Sequence, residues 1–348
     1  MNARATAFAL QTTLIQEFAP HKPMDSRCDI LIPTEANKLA CANYLRGGKV
    51  IGIPTETVYG LAGNALCEKT VRKIFEVKGR PFIDPLIVHF DSLESAFQHA
   101  DLSEFARKLA ARFWPGPLTL VVAKRNSIPG IVTAGLSTVA IRVPGHPVFR
   151  SLLEDLDFPL AAPSANPFGY VSPTRAEHVQ TTLGHRIPTV LDGGACWHGV
   201  ESTIVDLRDP RQPKILRPGP ISAEELGIET PKTDRRSSAG GAQAAPGMLT
   251  QHYSPRTPIQ LFAHGAQPEV VTPSAAVLYN TKPTTSELAN NQFWLSESGD
   301  PAEIAHNLFM LIQKLDTANY TVLHVERAAD EGIGVAINDR LTRAAAKR

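Results

Sequence analysis

A hydroxyl-rich turn followed by two closely spaced cations defines the chemistry open to this chain. The turn lies in Ile53-Pro54-Thr55-Glu56-Thr57-Val58-Tyr59-Gly60-Leu61, and the cations stand in Lys78-Gly79-Arg80-Pro81. The apolar run Val50 to Ile53 leads into the turn, so its polar groups follow a strand. Open α/β sheets gather ligands at such strand ends. Hydroxyls suit a small polar ligand, whereas Lys78 and Arg80 suit phosphate oxygens. A purely structural turn has no use for both.

Other polar residues recur at comparable places. His89 ends the strand Leu86-Ile87-Val88, Thr138 and Arg142 bracket Val139-Ala140-Ile141, and Ser164 and Asn166 follow Ala161-Ala162-Pro163. Ser172 and Thr174 flank Pro173, Glu201-Ser202-Thr203 precedes a strand, and Arg217 precedes Pro218-Gly219. Each also has a plain structural reading. Lys78 and Arg80 suit a helix C-terminus, where cations favour the dipole. A histidine at a strand end is more often a structural hydrogen-bonding group than a catalytic one. Thr138, Ser164 and Ser172 suit turns or a helix start. Arg142 and Arg217 resist that reading, because a guanidinium among apolar residues needs an anionic partner or a ligand. The whole set is rich in cations and hydroxyls and poor in carboxylate pairs, unlike a glycosidase or a metal hydrolase.

The sequence contains no G-x-x-x-x-G-K-[ST], no G-x-G-x-x-G after a strand, no H-E-x-x-H and no G-x-S-x-G. Nucleotide binding would therefore proceed without a P-loop, and covalent hydrolase chemistry is disfavoured. Asp192-Gly193-Gly194 reads as an ordinary turn. The formal net charge of +1 gives no global attraction to nucleic acid or acidic membrane, so any basic site is local. Four scattered cysteines lack zinc spacing and read as reduced thiols of a cytoplasmic protein. No apolar run approaches the ~20 residues needed to span a bilayer.

The elements that must position these groups alternate between strand and helix. Thr34 is a candidate N-cap for a helix with Leu39, Ala42 and Leu45 on one face, stopped by Gly47-Gly48. A helix from Glu68 to Val77 carries Val71, Ile74 and Phe75 at helical spacing, and Ser103 caps another through Phe113. Strands are expected at Val50–Ile53, Leu118–Ala123, Val139–Val143, Leu160–Ala162, Thr189–Leu191, Thr203–Leu207 and Lys214–Leu216. Their unbroken apolar runs suit a sheet covered on both faces. From Thr230 to Gly247 the composition turns to Pro, Ser, Gly and Ala, as in a linker. The island Pro246–Pro255 is too rich in Met, Leu, His and Tyr for a spacer and is expected to fold back. A second unit follows, with strands Ile259–Phe262, Ala276–Tyr279 and Thr321–Val325, and helices Pro301–Leu315 and Val335–Ala345. The expected division is a flexible extension at 1–27, a larger α/β domain at 28–228, a linker at 229–257 and a smaller α/β domain at 258–348.

Together these stretches resemble the threonylcarbamoyl-AMP synthase family, which carries the YrdC-type domain. The resemblance rests on Pro54–Leu61, Lys78–Pro81, Pro85–His89, Ala140–Pro144, Pro163–Asn166, Glu201–Asp206 and Leu216–Gly219, in the family's order. Pro246–Pro255 and Gly332–Leu341 resemble the longer subgroup with a linker and a C-terminal domain. The resemblance implies an α/β fold: a twisted mixed-sheet YrdC-like catalytic domain plus a smaller Rossmann-like C-terminal domain.

It also implies a reaction: L-threonine, bicarbonate or CO2, and ATP give L-threonylcarbamoyl-adenylate and pyrophosphate. The product would pass to a tRNA threonylcarbamoyl transferase complex, which modifies the adenosine beside the anticodon. By resemblance Thr55, His89, Arg142 and Ser202 hold threonine, with backbone from Ala162. Lys78, Arg80, Thr138, Ser164, Ser172, Arg217 and Tyr253 hold ATP, and Lys78 and Arg80 also stabilise charge during catalysis. Mg2+ arrives on the nucleotide rather than in a protein cage. Arg142 is expected to clamp the threonine carboxylate through both teeth of its fork. No general base is assigned. Tyr253 lies in the linker, so that segment is expected to act as a lid over the pocket. Two rival readings are a carbamoyl-adenylate-forming enzyme of the hydrogenase-maturation type and a non-catalytic double-stranded-RNA-binding module. The first normally belongs to a larger chain with zinc-finger and acylphosphatase segments, and the near-neutral charge disfavours the second.

Overall fold

A computed structural model describes residues 28–228, 243–248, 252–269, 272–284 and 289–346. The expected extension at 1–27 and most of the linker lie outside the described residues.

The first sheet is built from β1 (Asp29–Leu31), β2 (Ile51–Ile53), β3 (Gly60–Asn64), β4 (Ile87–His89), β5 (Ala100–Asp101) and β6 (Leu118–Lys124). It continues through β7 (Thr138–Arg142), β8 (Leu160–Ala161), β9 (Thr189–Leu191), β10 (Thr203–Asp206) and β11 (Lys214–Arg217). The spatial order is β1-β9-β2-β3-β8-β4-β7-β6-β10-β11, with β5 paired to β6. Pairs β1/β9, β2/β9, β4/β7 and β6/β10 are parallel, whereas β2/β3, β3/β8, β4/β8, β6/β7 and β10/β11 are antiparallel. The sheet is therefore mixed, as expected. Every residue of β2, β4, β9 and β10 is buried. Their uninterrupted apolar runs follow from that two-sided cover.

Strand β3 is not among the expected strands, and the segment read as a polar turn already takes in its first residues, Gly60 and Leu61. The strand pairs with β2 through Ile53↔Gly60, so residues 54–59 connect two neighbouring strands. Its glycines serve close approach: a Cβ on Gly63 would stand 2.7 Å from Thr70 Cγ2, and one on Gly60 would stand 3.2 Å from Ala162 Cβ. A strand chosen for thinness lacks the β-branched signal that marks most strands.

The helix Glu35–Arg46 starts where expected, with Thr34 Oγ1 accepting the Asn37 N–H, and ends at Gly47. Its buried face is Cys41, Ala42 and Leu45, while Leu39 is 58% exposed. That corrects the expected face. At 3.6 residues per turn, two steps of three rotate Leu39 about 120° away from Leu45. The helix Glu68–Lys78 buries Val71, Ile74 and Phe75 as its spacing predicts. Gly79 ends it in the left-handed conformation, φ 64°, which glycine adopts without steric penalty. That stop turns Lys78 and Arg80 toward the sheet instead of into solvent.

The second sheet, β12 (Ile259–Phe262), β13 (Ala275–Thr281), β14 (Gln292–Ser296) and β15 (Val322–Glu326), is wholly parallel in the order β12-β15-β13-β14. Helices Pro301–Asp316 and Gly334–Ala344 cover it. This small α/β unit packs on the first: Val58, Val171 and Val200 share one core with Tyr253, Leu308 and Phe309. Tyr170 Oη donates to Asp316 Oδ2 at 2.7 Å, and Gln313 Nε2 donates to the Ser172 carbonyl at 2.8 Å. Among the described residues no helix is long and apolar enough to cross a membrane.

Candidate functional site

The strand ends converge on one cavity. Of the residues expected to hold threonine, Thr55, His89, Arg142, Ala162 and Ser202 all line it. Of the expected ATP ligands, Arg80, Ser164, Arg217 and Tyr253 line it, but Lys78, Thr138 and Ser172 do not. Thr138 instead opens β7 and pairs with Ala123 on β6.

On one side the groups are locked to each other. Thr55 Oγ1 donates to the Val58 carbonyl at 2.7 Å and accepts the N–H groups of Thr57 and Val58 at 3.0 and 3.1 Å. The hydroxyl thus closes its own turn, a common use of threonine beside free backbone groups. Arg142 donates to Glu56 Oε1 through Nη2 at 2.6 Å, to Thr57 Oγ1 through Nη1 at 3.1 Å and to the Gly116 carbonyl through Nε at 3.1 Å. Arg142 and Glu56 are buried, and Arg142 keeps the Glu56 carboxyl below its ordinary range even though burial, the larger single effect, pushes it up. The fork of Arg142 expected to clamp a substrate carboxylate is therefore divided among protein groups, one tooth on Glu56 and the other on Thr57.

His89 packs on Phe149 with ring centroids 5.3 Å apart, and its Nδ1 has no hydrogen-bond partner. Burial first, then the Arg142 charge, lowers its pKa to about 3, so the imidazole is neutral at physiological pH. Asp192-Gly193-Gly194 is more than an ordinary turn. Tyr59 Oη donates to Asp192 Oδ1 at 2.9 Å and accepts the Gly193 N–H at 3.0 Å, bracing the 54–59 connection from behind.

The other side is cationic. Arg80 is buried, donates to the Asp84 and Pro85 carbonyls, and stands 3.0 Å from Asp84 Oδ2 without hydrogen-bond alignment. Burial lowers the Arg80 pKa and raises that of Asp84. Lys78 Nζ donates to the Ser164 carbonyl and, at 2.6 Å, to the Asn166 carbonyl; burial and then Arg80 depress its pKa well below the ordinary lysine value. Lys78 thus fastens the 164–166 loop behind the cavity wall. Arg217 donates to the Ser202 carbonyl at 3.1 Å and to Ser202 Oγ at 2.9 Å. Ser172 Oγ donates to Glu201 Oε1 at 2.5 Å, which places Ser172 one residue back from the cavity.

The returning linker completes the wall. Pro246, Gly247, His252 and Tyr253 all line the cavity, as the composition of the island predicts. Tyr253 is buried, lies at φ 66°, stacks on Phe309 and leaves its Oη without a hydrogen-bond partner. A tyrosine in the left-handed region is a conformation the surroundings must hold in place. Gly247 at φ 77° lets the backbone pass, since a Cβ there would stand 2.8 Å from Tyr253 Oη and 3.3 Å from Arg217 Nη1.

The sequence motifs contain Thr57, Glu56, Glu201 and His252, but the sequence reading gives none of them a role in the site. Glu56 and Glu201 sat inside motifs singled out for their hydroxyls. Arg142 in an apolar strand is the signal that could have found Glu56, since a buried guanidinium requires an anion nearby, whereas Glu201 pairs with Arg340 on a helix.

Two family models match the chain: one described as "Telomere recombination" (Sua5_yciO_yrdC) over residues 43–219, and "Threonylcarbamoyl-AMP synthase, C-terminal domain" over residues 221–346. Curated relatives named threonylcarbamoyl-AMP synthase include those of Pyrococcus abyssi and Bacillus subtilis. Each is 37% identical over 88% of this chain, covering 93% and 92% of the relative. Among solved structures, P. abyssi Sua5 complexed with L-threonine aligns with a TM-score of 0.81 at 37% identity, over 90% of this chain and 95% of that one. A P. abyssi Sua5 variant with adjacent histidine and tyrosine changed to alanine aligns with a TM-score of 0.80 at 34% identity, over 91% and 96%.

Proposed function

The chain belongs to the threonylcarbamoyl-AMP synthase family, and on that footing we propose that it converts L-threonine, bicarbonate or CO2, and ATP into L-threonylcarbamoyl-adenylate and pyrophosphate. The observation that carries this reading is a single cavity with a neutral histidine and a locked arginine on one side and buried cations on the other. In this reading Thr55, His89, Arg142, Ser202 and the Ala162 backbone form the threonine half. Arg80, Ser164, Arg217 and Tyr253 form the nucleotide half, while Lys78 and Ser172 support it from behind.

The neutral threonine amine attacks CO2, forms the C–N bond and loses a proton, giving a carbamate. A carbamate oxygen then attacks the α-phosphorus, and pyrophosphate leaves. Two anions must meet in that step, so Arg80 and Arg217 act by offsetting charge on the phosphates. Arg142 acts as a fixed positive charge toward the threonine carboxylate, held still by Glu56 and Thr57. Neutral His89 offers its unpartnered Nδ1 to a donor of the substrate without adding charge. No open carboxylate cage faces the nucleotide half, since Glu201 is tied to Ser172 and Arg340 and Asp84 to Arg80. Mg2+ would therefore be brought in with the nucleotide, where it would supply positive charge to the phosphates.

The proposed organisation keeps 28–228 as the catalytic domain, 229–257 as linker and lid, and 258–348 as the C-terminal domain. The cavity leaves about 40 Å³ for the centres of water-sized molecules. At ~10–15 Å³ per water this is room for about three waters. Pro246, Gly247, His252 and Tyr253 form one wall of this cavity, which supports a lid that closes over a labile carbamate. We place the reaction in the cytoplasm, where the four free cysteines stay reduced, with handover to a tRNA threonylcarbamoyl transferase complex. The test is pyrophosphate release from Mg-ATP with purified protein. Release that requires both threonine and bicarbonate supports the reading, and release indifferent to either one contradicts it.

A further inference from the structure

One buried cation in the cavity's surroundings comes from the far end of the chain. Arg340, in helix Gly334–Ala344, is fully buried and reaches out of the second α/β unit into the first. Its Nε donates to Glu201 Oε2 at 2.7 Å, and Nη2 donates to the Pro218 carbonyl at 3.0 Å. Its Nη1 donates to Asp339 Oδ2 at 2.8 Å, and its Cζ stands 5.2 Å from the centre of the Tyr253 ring. Asp339 Oδ2 also accepts from Arg343 Nε at 3.2 Å, and Arg343 Nη1 donates to the Met248 carbonyl at 3.1 Å.

We propose that Arg340 is a positioning residue of the nucleotide half, through which the C-terminal domain neutralises Glu201 and holds Tyr253 in the cavity wall. The inference rests on the proposed function, because it takes the cationic side of the cavity as the phosphate side. Glu201 lines that side and would repel a triphosphate if its charge stood alone. Arg340 offsets the carboxylate without spending the hydrogen bonds of Arg217, which go to Ser202 and the Pro246 carbonyl. The Glu201 pKa agrees: Arg340 and Arg217 hold it below its ordinary value against the opposing effect of burial. The guanidinium over the Tyr253 ring adds a cation–π contact that favours the closed wall. One side chain thus joins the catalytic sheet, the lid and the C-terminal domain.

The test measures steady-state pyrophosphate release by the full chain, with ATP and threonine varied separately. Wild-type protein must first show threonine-dependent release; failure there removes the functional reading and leaves Arg340 out of account. Given that activity, Arg340→Met is expected to raise KM for ATP by ~10-fold or more while KM for threonine stays within ~2-fold. The double variant Arg340→Met with Glu201→Gln removes the uncompensated carboxylate and is expected to bring KM for ATP back to within ~3-fold of wild type. Thermal unfolding of both variants separates rescue of binding from rescue of folding. Two results would overturn the proposal: equal rises in both KM values, or no recovery in the double variant. If Arg340→Met does not fold, the double variant alone decides by its ATP KM, since near-wild-type affinity requires the charge account.

Discussion

The two halves of the cavity are built in opposite ways. The proposed threonine half comes from one sheet: residues 54–59 between β2 and β3, His89 at the end of β4 and Arg142 at the end of β7. Its polar groups answer one another, as in the Arg142–Glu56 pair and the Thr55 turn. The proposed nucleotide half is assembled from distant parts of the chain: Arg80, the 164–166 loop, Arg217, the returning linker and Arg340 behind it. Each half also holds buried atoms without a hydrogen-bond partner among the described residues, Glu56 Oε2 and His89 Nδ1 in the first and Asp84 Oδ1 and Tyr253 Oη in the second. The difference teaches a division of labour, with a rigid seat for the smaller substrate and an adjustable wall for the larger one.

Breaking the rigid half should have the largest consequence. Arg142→Met leaves the buried Glu56 unpaired, and removing one partner of such a pair costs ~3–5 kcal/mol of stability. Denaturant unfolding checks this, with activity expected to fall at the same time. On the adjustable half, Arg217→Met should cost ~10²-fold in kcat/KM for ATP, the usual scale for one preorganised charge-stabilising group. Threonine binding measured by calorimetry should persist in that variant, and its loss would dissolve the distinction between the halves.

Lid variants should be smaller still. Tyr253→Ala and Gly247→Ala should each lower kcat by ~10-fold and release threonylcarbamoyl-adenylate early, because closure protects the intermediate. Tyr253 also belongs to the core shared with Phe309, so Tyr253→Ala should unfold at lower denaturant as well, and the kcat comparison is made below that transition. Unchanged synthesis and retention in both Tyr253→Ala and a deletion of 246–255 would end the lid account.

A titration sharpens the comparison further. His89 has a folded pKa of about 3, below its ordinary 6.5, so protons bind the unfolded chain more tightly. Stability from its neutral burial is present above pH 6.5 and is lost as pH falls from there toward 3. Between pH 7 and 5, wild type should lose about 2 kcal/mol more than His89→Asn, at ~1.4 kcal/mol per unit below the unfolded pKa. Equal losses would mean that the histidine is not held neutral by the fold. The smallest effect is expected at Thr138→Ala, below ~2-fold in ATP KM, because that residue does not line the cavity.

Much of this arrangement was legible before any coordinates. Unbroken apolar runs marked β2, β4 and β9, and threonine and glycine punctuation placed the helix Glu35–Arg46. Pro246–Pro255 betrayed its return to the body of the protein by its aromatic content. What escaped was set by tertiary packing. β3 hides in glycines chosen for close approach, and Leu39 shares a sequence period but not a face with Leu45. Lys78, Thr138 and Ser172 carry the right chemistry, yet only the sheet geometry shows that they stand outside the cavity. Glu56 and Glu201 matter through arginines 86 and 139 residues away in sequence. No local pattern records such a pairing.

The most direct measurement is mass spectrometry of the products formed from threonine, bicarbonate and Mg-ATP, each omitted in turn. The account predicts threonylcarbamoyl-adenylate only when all three are present. An adenylate formed from carbamoyl phosphate without threonine, or RNA binding with no adenylate at all, would contradict it.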